Sequence, residues 1–371
     1  MEKIIGFCNL HDDPHLGQLT TKRPCGVVSF LGRYGLMDFT LSNFSNSHID
    51  RIYVLVKNSV LSVRSHIGNG AIWTNNTRRG FVNLLLNEDG LFNPKFNTDL
   101  ANLKANFSID YVDFDYAVIA PSFMLASIDY RPIIAAHEKS GADVTIVYKH
   151  INNADEEFHN CDRLKIGADN KVTKIDPNLG RTSEADISLE SFIISKKVLR
   201  KIVNDVSKVS ELFSLREMIK YYVGEEALDV RAYEFEGYVI PMLSLEGYFK
   251  HSLDLLNVQN RNKLFSEDWP IYTTTHNTPP ALYGRNADVR NSFIANGSII
   301  KGKVENCIIS RDVVIEKGAV VKNAILFTRS EIGKDVKVIN ALIDKGAHVS
   351  GVNALEGKDG EVLYIKQGAK I

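Results

Sequence analysis

The sequence has little net charge, no paired cysteines and no long apolar run. It holds 44 Lys+Arg against 45 Asp+Glu, a formal net charge of −1, so no overall field attracts nucleic acid or an anionic membrane. The four cysteines form no CxxC pair, which argues against a disulfide framework and a cysteine zinc site. No stretch approaches the ~20 apolar residues of a membrane helix, and the N-terminus does not read as a signal peptide. We therefore expect a cytoplasmic protein without nucleic-acid or membrane partners.

The length of 371 residues predicts two domains, since domains commonly hold about 100–150 residues. We place the first domain at 1–256, a linker at 257–290 and the second domain at 291–371. The linker assignment rests on Trp269-Pro270 and Thr278-Pro279-Pro280, because proline disfavours both helices and central strands.

The C-terminal quarter of the chain repeats. The pattern V-x-N-small-apolar-apolar starts at Val304, Val321 and Val338, at two equal 17-residue intervals. Six-residue steps led by an aliphatic residue lie between these starts, as in Ile315 to Val321. One buried aliphatic residue per six-residue step is typical of a parallel β-helix, in which each coil stacks on the next. A generic antiparallel β domain is the alternative.

The first ~240 residues alternate strand-like and helix-like segments. One helix is predicted from Tyr130 to Ser140, ending at Gly141. Val/Ile-rich strands separated by helices indicate βαβ units and a mostly parallel sheet, whose ligands bind beyond the carboxyl ends of the strands. The strand-like runs lie at 3–8, 51–56, 116–120 and 144–148.

Three groups of residues resemble motifs of the glucose-1-phosphate adenylyltransferases. The matching family patterns are GKYRIIDF-x-LSN-x-x-NS, HIGxGxxW and GYW-x-DVGT…MDLL. Their counterparts here are 33–39 with 41–43 and 46–47, then 66–70 with Trp73, and then 237–238 with 253–256. The resemblance spans essentially the whole chain. It implies a Rossmann-like nucleotidyltransferase domain with a mostly parallel sheet, followed by a C-terminal left-handed parallel β-helix.

The triphosphate-binding loop of that family is altered in this sequence. The family has glycines and an arginine in this loop, where backbone N–H groups and a cation meet the ATP phosphates. Here the glycines are replaced by Leu10, His11 and Asp13, the arginine by His15, and Asp12 adds a second carboxylate. Side chains and like charge therefore occupy the place of the triphosphate.

The family's magnesium ligands are also absent. The resemblance places the two metal-binding aspartates at Phe123 and Pro241, whose side chains offer no oxygen ligand. The family's Lys-Pro becomes Cys25-Gly26, and the Arg of its GKYR becomes Gly35. Losing one such charge-stabilising group commonly costs on the order of a hundred- to a thousandfold in rate. We therefore expect no useful catalysis, no cofactor and no metal in this chain, with magnesium only in a catalytic partner.

Some bacteria pair a catalytic adenylyltransferase chain with a non-catalytic paralogue, and this sequence resembles such GlgD-type chains. The resemblance implies a regulatory role in glycogen synthesis, in a heterotetramer with the catalytic subunit, alongside self-association. Arg33 matches a family position tied to sugar-phosphate effectors, and Arg64, Arg78 and Arg79 are further candidates for an effector phosphate.

Alternative interpretations remain open from the sequence alone. The first is an active enzyme with a rewired metal site at Asp12, Asp13 or Asp38, and the second is a stand-alone sugar-phosphate or nucleotide sensor. His11 to His15 could form a metal cluster, although a polar loop explains the same residues. Glu190 occupies a strand position where the family has glycine, and we interpret it as filling an empty pocket.

Overall fold

A computed structural model describes residues 3–75, 78–358 and 360–371. The first domain is built around a large mixed sheet. The strands of this domain are β1 Ile4–Asn9, β2 Ser29–Phe30, β3 Tyr34–Gly35, β4 Arg51–Val56, β5 Phe81–Leu86, β6 Tyr116–Pro121, β7 Met124–Leu125, β8 Val144–Ile151, β9 Asp162–Ile166, β10 Val172–Pro177, β11 Ala185–Ser195, β12 Val230–Glu234 and β13 Ile240–Pro241. Strands β2 and β3 pair with each other outside the large sheet, as do β7 and β13.

The strand order across this sheet is β12, β8, β11, β6, β1, β4 and β5. Strands β6, β1, β4 and β5 are parallel, as are β8 and β12, whereas β11 runs antiparallel to both of its neighbours. The β9–β10 hairpin joins the first half of β11. The carboxyl ends of β1 and β4 therefore meet at one edge, where the sequence predicts ligand binding.

Helices cover both faces of the sheet. They are α1 Met37–Asn46, α2 Val60–Ile67, α3 Glu88–Phe92, α4 Asp99–Asn106, α5 Tyr130–Ser140, α6 Lys196–Val209, α7 Leu215–Gly224, α8 Leu245–Asp254 and α9 Val258–Leu264. The predicted helix α5 begins after its N-cap Asp129 and ends at the left-handed Gly141. Alternate residues of β1 enter opposite cores: Ile5 and Phe7 pack towards α4, α6 and α7, and Cys8 packs towards α1, α2 and α5.

The second domain is a parallel β-helix, consistent with the left-handed hexapeptide-repeat fold that the sequence predicts. Its strands are β14 Leu282–Tyr283, β15 Asp288–Arg290, β16 Phe293–Ile294, β17 Ile299–Ile300, β18 Lys303–Ile309, β19 Val314–Ile315, β20 Val320–Leu326, β21 Glu331–Ile332, β22 Lys337–Ile343, β23 His348–Val349, β24 Ala354–Glu356 and β25 Leu363–Ile365. The repeated Val304, Val321 and Val338 are buried in register on β18, β20 and β22. The 17-residue interval is thus one full coil of the β-helix.

The repeat pattern also docks the two domains on each other. Of the two apolar residues that end each repeat, the second points into the β-helix and the first joins the core of the first domain. Ile308, Ile325 and Leu342 are the three residues that join the core of the first domain. Phe327 extends the contact, with its ring centroid 6.4 Å from that of Tyr248 on α8. The interface between the domains is therefore apolar and buried.

The connection between the domains is shorter than the predicted linker. Helix α9 and strands β14 and β15 lie within 257–290, so the segment between regular elements is 265–281. This connecting segment packs along α1: Trp269 donates from Nε1 to Asn43 Oδ1 at 2.9 Å, and Asn46 donates to the Pro270 carbonyl at 3.0 Å. The LSN-type motif of α1 thus has a structural role. No helix in the described ranges is long and apolar enough to cross a membrane.

Candidate functional site

A polar pocket of about 470 Å³ opens at the carboxyl ends of β1 and β4, and we call it the strand-end pocket. Its walls come from the altered loop after β1, from Lys57 after β4, from the start of β9 and from the first turns of α7. The lining residues are His11, Asp12, Asp13, Lys57, Asp162, Ser214, Arg216, Glu217 and Lys220.

His11 is fixed by hydrogen bonds within the protein. Asn102 Nδ2 lies 3.0 Å from His11 Nε2, and His11 Nδ1 lies 3.2 Å from the Asn97 carbonyl oxygen. This pattern fits a neutral ring with its proton on Nδ1. Burial, with a smaller effect from Lys57, lowers the pKa of His11 to about 4. His11 is therefore a buried structural histidine.

Asp13 accepts two hydrogen bonds from within the protein. The Gly26 N–H donates to Asp13 Oδ2 at 3.1 Å, and the Ser122 hydroxyl donates to Oδ1 at 2.7 Å. Burial nevertheless raises the pKa of Asp13 to about 6, and burial also raises the pKa of Asp12. An added Cβ at Gly26 would lie 2.8 Å from Leu10 Cδ2, so Leu10 fills the space on this side. The polar groups of Asp13 and the space beside Gly26 in the loop after β1 are therefore already occupied by other parts of the protein.

Phe123 and Pro241, where the resemblance places the metal carboxylates, lie at neighbouring positions on two paired strands. Strand β7 pairs antiparallel with β13, with Pro241 opposite Met124, and the Met242 N–H donates to the Phe123 carbonyl at 2.9 Å. Phe123 is 3% exposed and Pro241 is buried. These side chains do not fit a magnesium ion. Within the described ranges, no three His, Cys, Asp or Glu residues are grouped to hold a metal.

Arg216 is the centre of an ion network in the strand-end pocket. It lies in the first turn of α7, which begins with a capping box formed by Ser214 and Glu217. Arg216 donates to both oxygens of Asp162, at 2.6 Å from Nε and 2.9 Å from Nη2. Burial opposes its charge, but Asp162 and Glu190 outweigh that effect and raise the pKa of Arg216. Asp162 and Arg216 are therefore a strong ion pair.

A second cavity, of about 400 Å³, lies between the first domain and the β-helix, and we call it the interdomain cleft. It is lined by Val27, Ser29, Tyr34, Ser62, Ser65, His66, His276, Thr278, Arg311, Asp312, Thr328, Arg329 and Lys345. A neighbouring cavity of about 320 Å³ shares His276 and Arg311 with it and adds Arg33.

The cations of the interdomain cleft disfavour one another. Burial and then Arg33 lower the pKa of Arg311, and burial and then Arg311 lower the pKa of His276. Burial, Arg23 and Arg329 lower the pKa of Lys345. Burial is the largest cause of each shift, neighbouring cations add to it, and Asp312 and Asp344 partly oppose it. The cleft is therefore suited to an anion.

His66 reaches this cleft because Gly35 leaves room for it. An added Cβ at Gly35 would lie 2.7 Å from His66 Nε2. That nitrogen lies 2.5 Å from Asp38 Oδ1, and Asp38 also accepts the Gly35 N–H at 2.9 Å. Asp38 is fully buried in this arrangement. It is thus committed to His66 and to the backbone, away from Asp12 and Asp13.

The structure separates the residues that the sequence singles out. His11, Asp12 and Asp13 share the strand-end pocket, whereas Leu10 is in the core and His15 is exposed. Among the arginines proposed for an effector, Arg33 lines the cavity beside the interdomain cleft. The other three, Arg64, Arg78 and Arg79, are exposed and line neither cavity.

Sequence reasoning missed Arg311, Arg329, Lys345 and His276. The sequence contains a signal for two of them: Arg311 and Lys345 are two 17-residue intervals apart, with Thr328 at the position between them. Each comes two residues after the end of β18, β20 or β22, so the three stack at one edge of the β-helix. The 17-residue spacing does not predict which part of the first domain lies opposite this edge of the β-helix.

Comparison with known proteins agrees with both domains. A nucleotidyl transferase family model matches residues 15–159, and a GlmU-like, C-terminal hexapeptide model matches 279–360. The chain is 30% identical over 349 residues to a glucose-1-phosphate adenylyltransferase of Fervidobacterium nodosum, covering 92% of this chain and 83% of that protein. The chain belongs to the glucose-1-phosphate adenylyltransferase family.

Within this adenylyltransferase family, the chain is also similar to a protein named for glycogen biosynthesis. It is 28% identical over 364 residues to the glycogen biosynthesis protein GlgD of Bacillus subtilis, covering 95% of this chain and 92% of that protein. A glucose-1-phosphate adenylyltransferase of Lachnospira eligens is 29% identical over 305 residues, which cover 81% of this chain and 71% of that protein. The similarity therefore includes both domains.

Proposed function

We propose that this chain is a regulatory, catalytically impaired subunit of glucose-1-phosphate adenylyltransferase in glycogen biosynthesis. It acts by forming a hetero-oligomer with a catalytic subunit, which makes ADP-glucose from ATP and glucose 1-phosphate. One observation carries the proposal: the two positions where the resemblance places the magnesium ligands are held by buried, apolar Phe123 and Pro241, on two strands that pair with each other. The similarity to GlgD supports the glycogen pathway.

The closed loop after β1 supports the same proposal. Nucleotidyl transfer builds charge on phosphate oxygens, and backbone N–H groups and cations must meet that charge. Here Asp13 takes the Gly26 N–H and the Ser122 hydroxyl, and Pro14 has no N–H to give. Loop and metal position are thus changed together, and each change alone would cost on the order of a hundredfold or more in rate.

The interdomain cleft supplies the regulatory part of the proposal. Its basic residues belong to both domains: His66 comes from α2, His276 from the connecting segment, and Arg311, Arg329 and Lys345 from the β-helix. A phosphorylated effector there would contact both domains at once and be held by charge-assisted hydrogen bonds. Effector binding would then change the relative position of the two domains, and a partner subunit in contact with both domains would respond to that change.

Co-expression with a catalytic glucose-1-phosphate adenylyltransferase from the same organism tests the proposal. We expect the two chains to co-purify, and we expect the maximal rate or the effector response of the catalytic chain to change. The purified chain alone should form no ADP-glucose. Failure to co-purify, together with unchanged kinetics of the catalytic chain, would show that the proposal is wrong.

The rewired-enzyme alternative is favoured by the position of Asp12 and Asp13 in one pocket. It requires magnesium-dependent turnover by the purified chain that disappears in Asp12→Asn and Asp13→Asn. We expect no such turnover, and we expect very little even in the double variant Phe123→Asp with Pro241→Asp, because the loop after β1 stays closed. Substantial turnover by the wild-type chain would favour the alternative.

A further inference from the structure

Glu190 has a backbone conformation that suits glycine. Its φ is +52°, and it lies in a bulge of β11 where the pairing with β8 shifts between Ser188 and Ser191. A non-glycine residue with such a φ is uncommon and usually marks a site where the surroundings hold it in place. Glu190 is only 6% exposed, so its carboxyl group is carried into the protein interior.

The Glu190 carboxyl group meets the guanidinium of Arg216. Glu190 Oε1 lies 3.0 Å from Arg216 Nη1, while Nε and Nη2 are held by Asp162 and Nη2 also donates to the Asn160 carbonyl at 3.2 Å. Arginine binds phosphate through the same fork of N–H groups. Every nitrogen of this fork is therefore engaged inside the protein, although Arg216 lines the strand-end pocket.

The geometry points to Glu190 as an internal block of the strand-end pocket, which occupies the side of Arg216 that a phosphorylated monosaccharide would otherwise contact. The chain is then impaired at substrate binding as well as at chemistry, by a feature separate from Phe123 and Pro241. The inference takes its ligand class from the proposed function. If Glu190 blocks the strand-end pocket, a sugar phosphate that regulates this chain must bind at a different surface.

Binding of glucose 1-phosphate to the purified chain, measured by calorimetry, tests this inference. Both proteins compared carry Arg311→Ala, so that the interdomain cleft contributes little. We expect Glu190→Gly to bind at least about tenfold more tightly than the Arg311→Ala parent, because a single freed charge-assisted contact is typically equivalent to a factor of ten or more. Adding Arg216→Gln should abolish the gain, which places the new site in the strand-end pocket.

Glu226→Gly is the matched control. Glu226 also has a left-handed φ, of +51°, but it is exposed at the end of α7. Glu226→Gly removes a side chain from the same kind of left-handed backbone conformation but does not change the strand-end pocket. We therefore expect no change in the binding of glucose 1-phosphate. A gain in Glu226→Gly equal to that in Glu190→Gly would overturn the inference.

Two further outcomes decide the matter. If the Arg311→Ala parent already binds glucose 1-phosphate as tightly as the Glu190→Gly variant, the inference is wrong. If Glu190→Gly does not fold, as judged by circular dichroism, the decision passes to Glu190→Ala, which removes the carboxyl group from Arg216. Tighter binding by the Ala variant supports the block, and unchanged binding overturns it. These measurements need no catalytic subunit, so they can fail while co-purification succeeds, and the reverse.

Discussion

The strand-end pocket and the interdomain cleft both contain arginine and lysine, but they differ in how those charges are balanced. In the strand-end pocket Arg216 contacts Asp162 and Glu190, and the neighbouring Asp13 is satisfied by Gly26 and Ser122. In the interdomain cleft, by contrast, burial and other cations lower the pKa of Arg311 and Lys345.

This difference separates a filled site from an open one. A pocket whose ionic groups satisfy each other gains little from a ligand, because the ligand must first replace contacts that already exist. A pocket in which arginine and lysine side chains lie near one another gains charge-assisted hydrogen bonds from an anion that enters it. We therefore propose that a ligand binds between the domains and that the strand-end pocket has a structural role.

The largest expected effect tests whether the wall of the interdomain cleft is rigid. Arg23 Nη2 lies 2.5 Å from Asp344 Oδ2, and the two side chains are 5% and 1% exposed. Because removing one partner leaves a buried charge, Arg23→Met should lower the free energy of unfolding by about 3–5 kcal/mol in urea denaturation. Asp344 is next to Lys345 and also accepts from the Tyr364 hydroxyl at 2.6 Å, so the cleft should loosen with it.

The control for this pair is Lys322→Met. Lys322 lies 3.3 Å from Glu305 on the outer surface of the β-helix, and these side chains are 43% and 49% exposed. Its loss should cost less than about 1 kcal/mol. Equal losses in the two variants would contradict a rigid, buried connection between the domains at this point.

A change of intermediate size compares the two pockets directly. In an otherwise wild-type chain, Arg311→Ala should weaken calorimetric binding of glucose 6-phosphate about ten- to a hundredfold, because a hydrogen bond to a charged group contributes about 1.5–3 kcal/mol. Lys220→Ala in the strand-end pocket is the control, with a change below about twofold expected. If Lys220→Ala weakens binding as much as Arg311→Ala does, the assignment of ligand binding to the cleft is wrong.

The smallest expected effect is on the pH dependence of stability. Burial, together with Asp12, Asp162 and Asp13, raises the pKa of Glu190 to about 8 from an ordinary 4.5, although Arg216 opposes this. The folded chain then keeps a proton that the unfolded chain has released, so stability falls as pH rises towards 8. Below about pH 6.5 the unfolded chain binds a proton at His11 that the folded chain does not bind, because the pKa of His11 is lowered to about 4 in the folded state. His11 therefore makes stability rise with pH in that range.

The useful window is therefore pH 6.5 to 8. Over this range the wild-type chain should lose about 1–2 kcal/mol of stability through Glu190, and Glu190→Gln should remove that part of the slope. Asp99, whose pKa burial raises to about 8, should keep a residual slope in the Gln variant. Glu226→Gln, at an exposed position, should leave the slope unchanged, and a wild-type stability that rises across the window would contradict the prediction.

Periodic features of this protein could be predicted from the sequence because they are local. The spacing of Val304, Val321 and Val338 places one valine on each successive coil, and the structure buries all three. The helix from Tyr130 to Ser140 was predicted with its end at Gly141, where a left-handed φ of +66° closes it. The linker was predicted over 257–290, where the structure has α9 before the prolines and β14 and β15 after them.

The resemblance identified Phe123 and Pro241 as altered positions, but only the tertiary structure brings them together. They are far apart in the chain and meet through the pairing of β7 with β13. The partner of Glu190 could not be predicted either, because Arg216 reaches it from a different element. Pairing between distant charges depends on how helices pack on the sheet, which leaves no period in the sequence.

The amino-acid sequence by itself determined the two fold types, since these depend on residue identity and short-range spacing, and it predicts the loss of oxygen ligands at the metal position. The tertiary structure alone decided which pocket is filled and which is open. That outcome depends on the docking of Ile308, Ile325 and Leu342 against the first domain, which carries Arg311 and Lys345 to His66. Electrostatic balance is a property of distances between groups, and those distances exist only once the chain has folded.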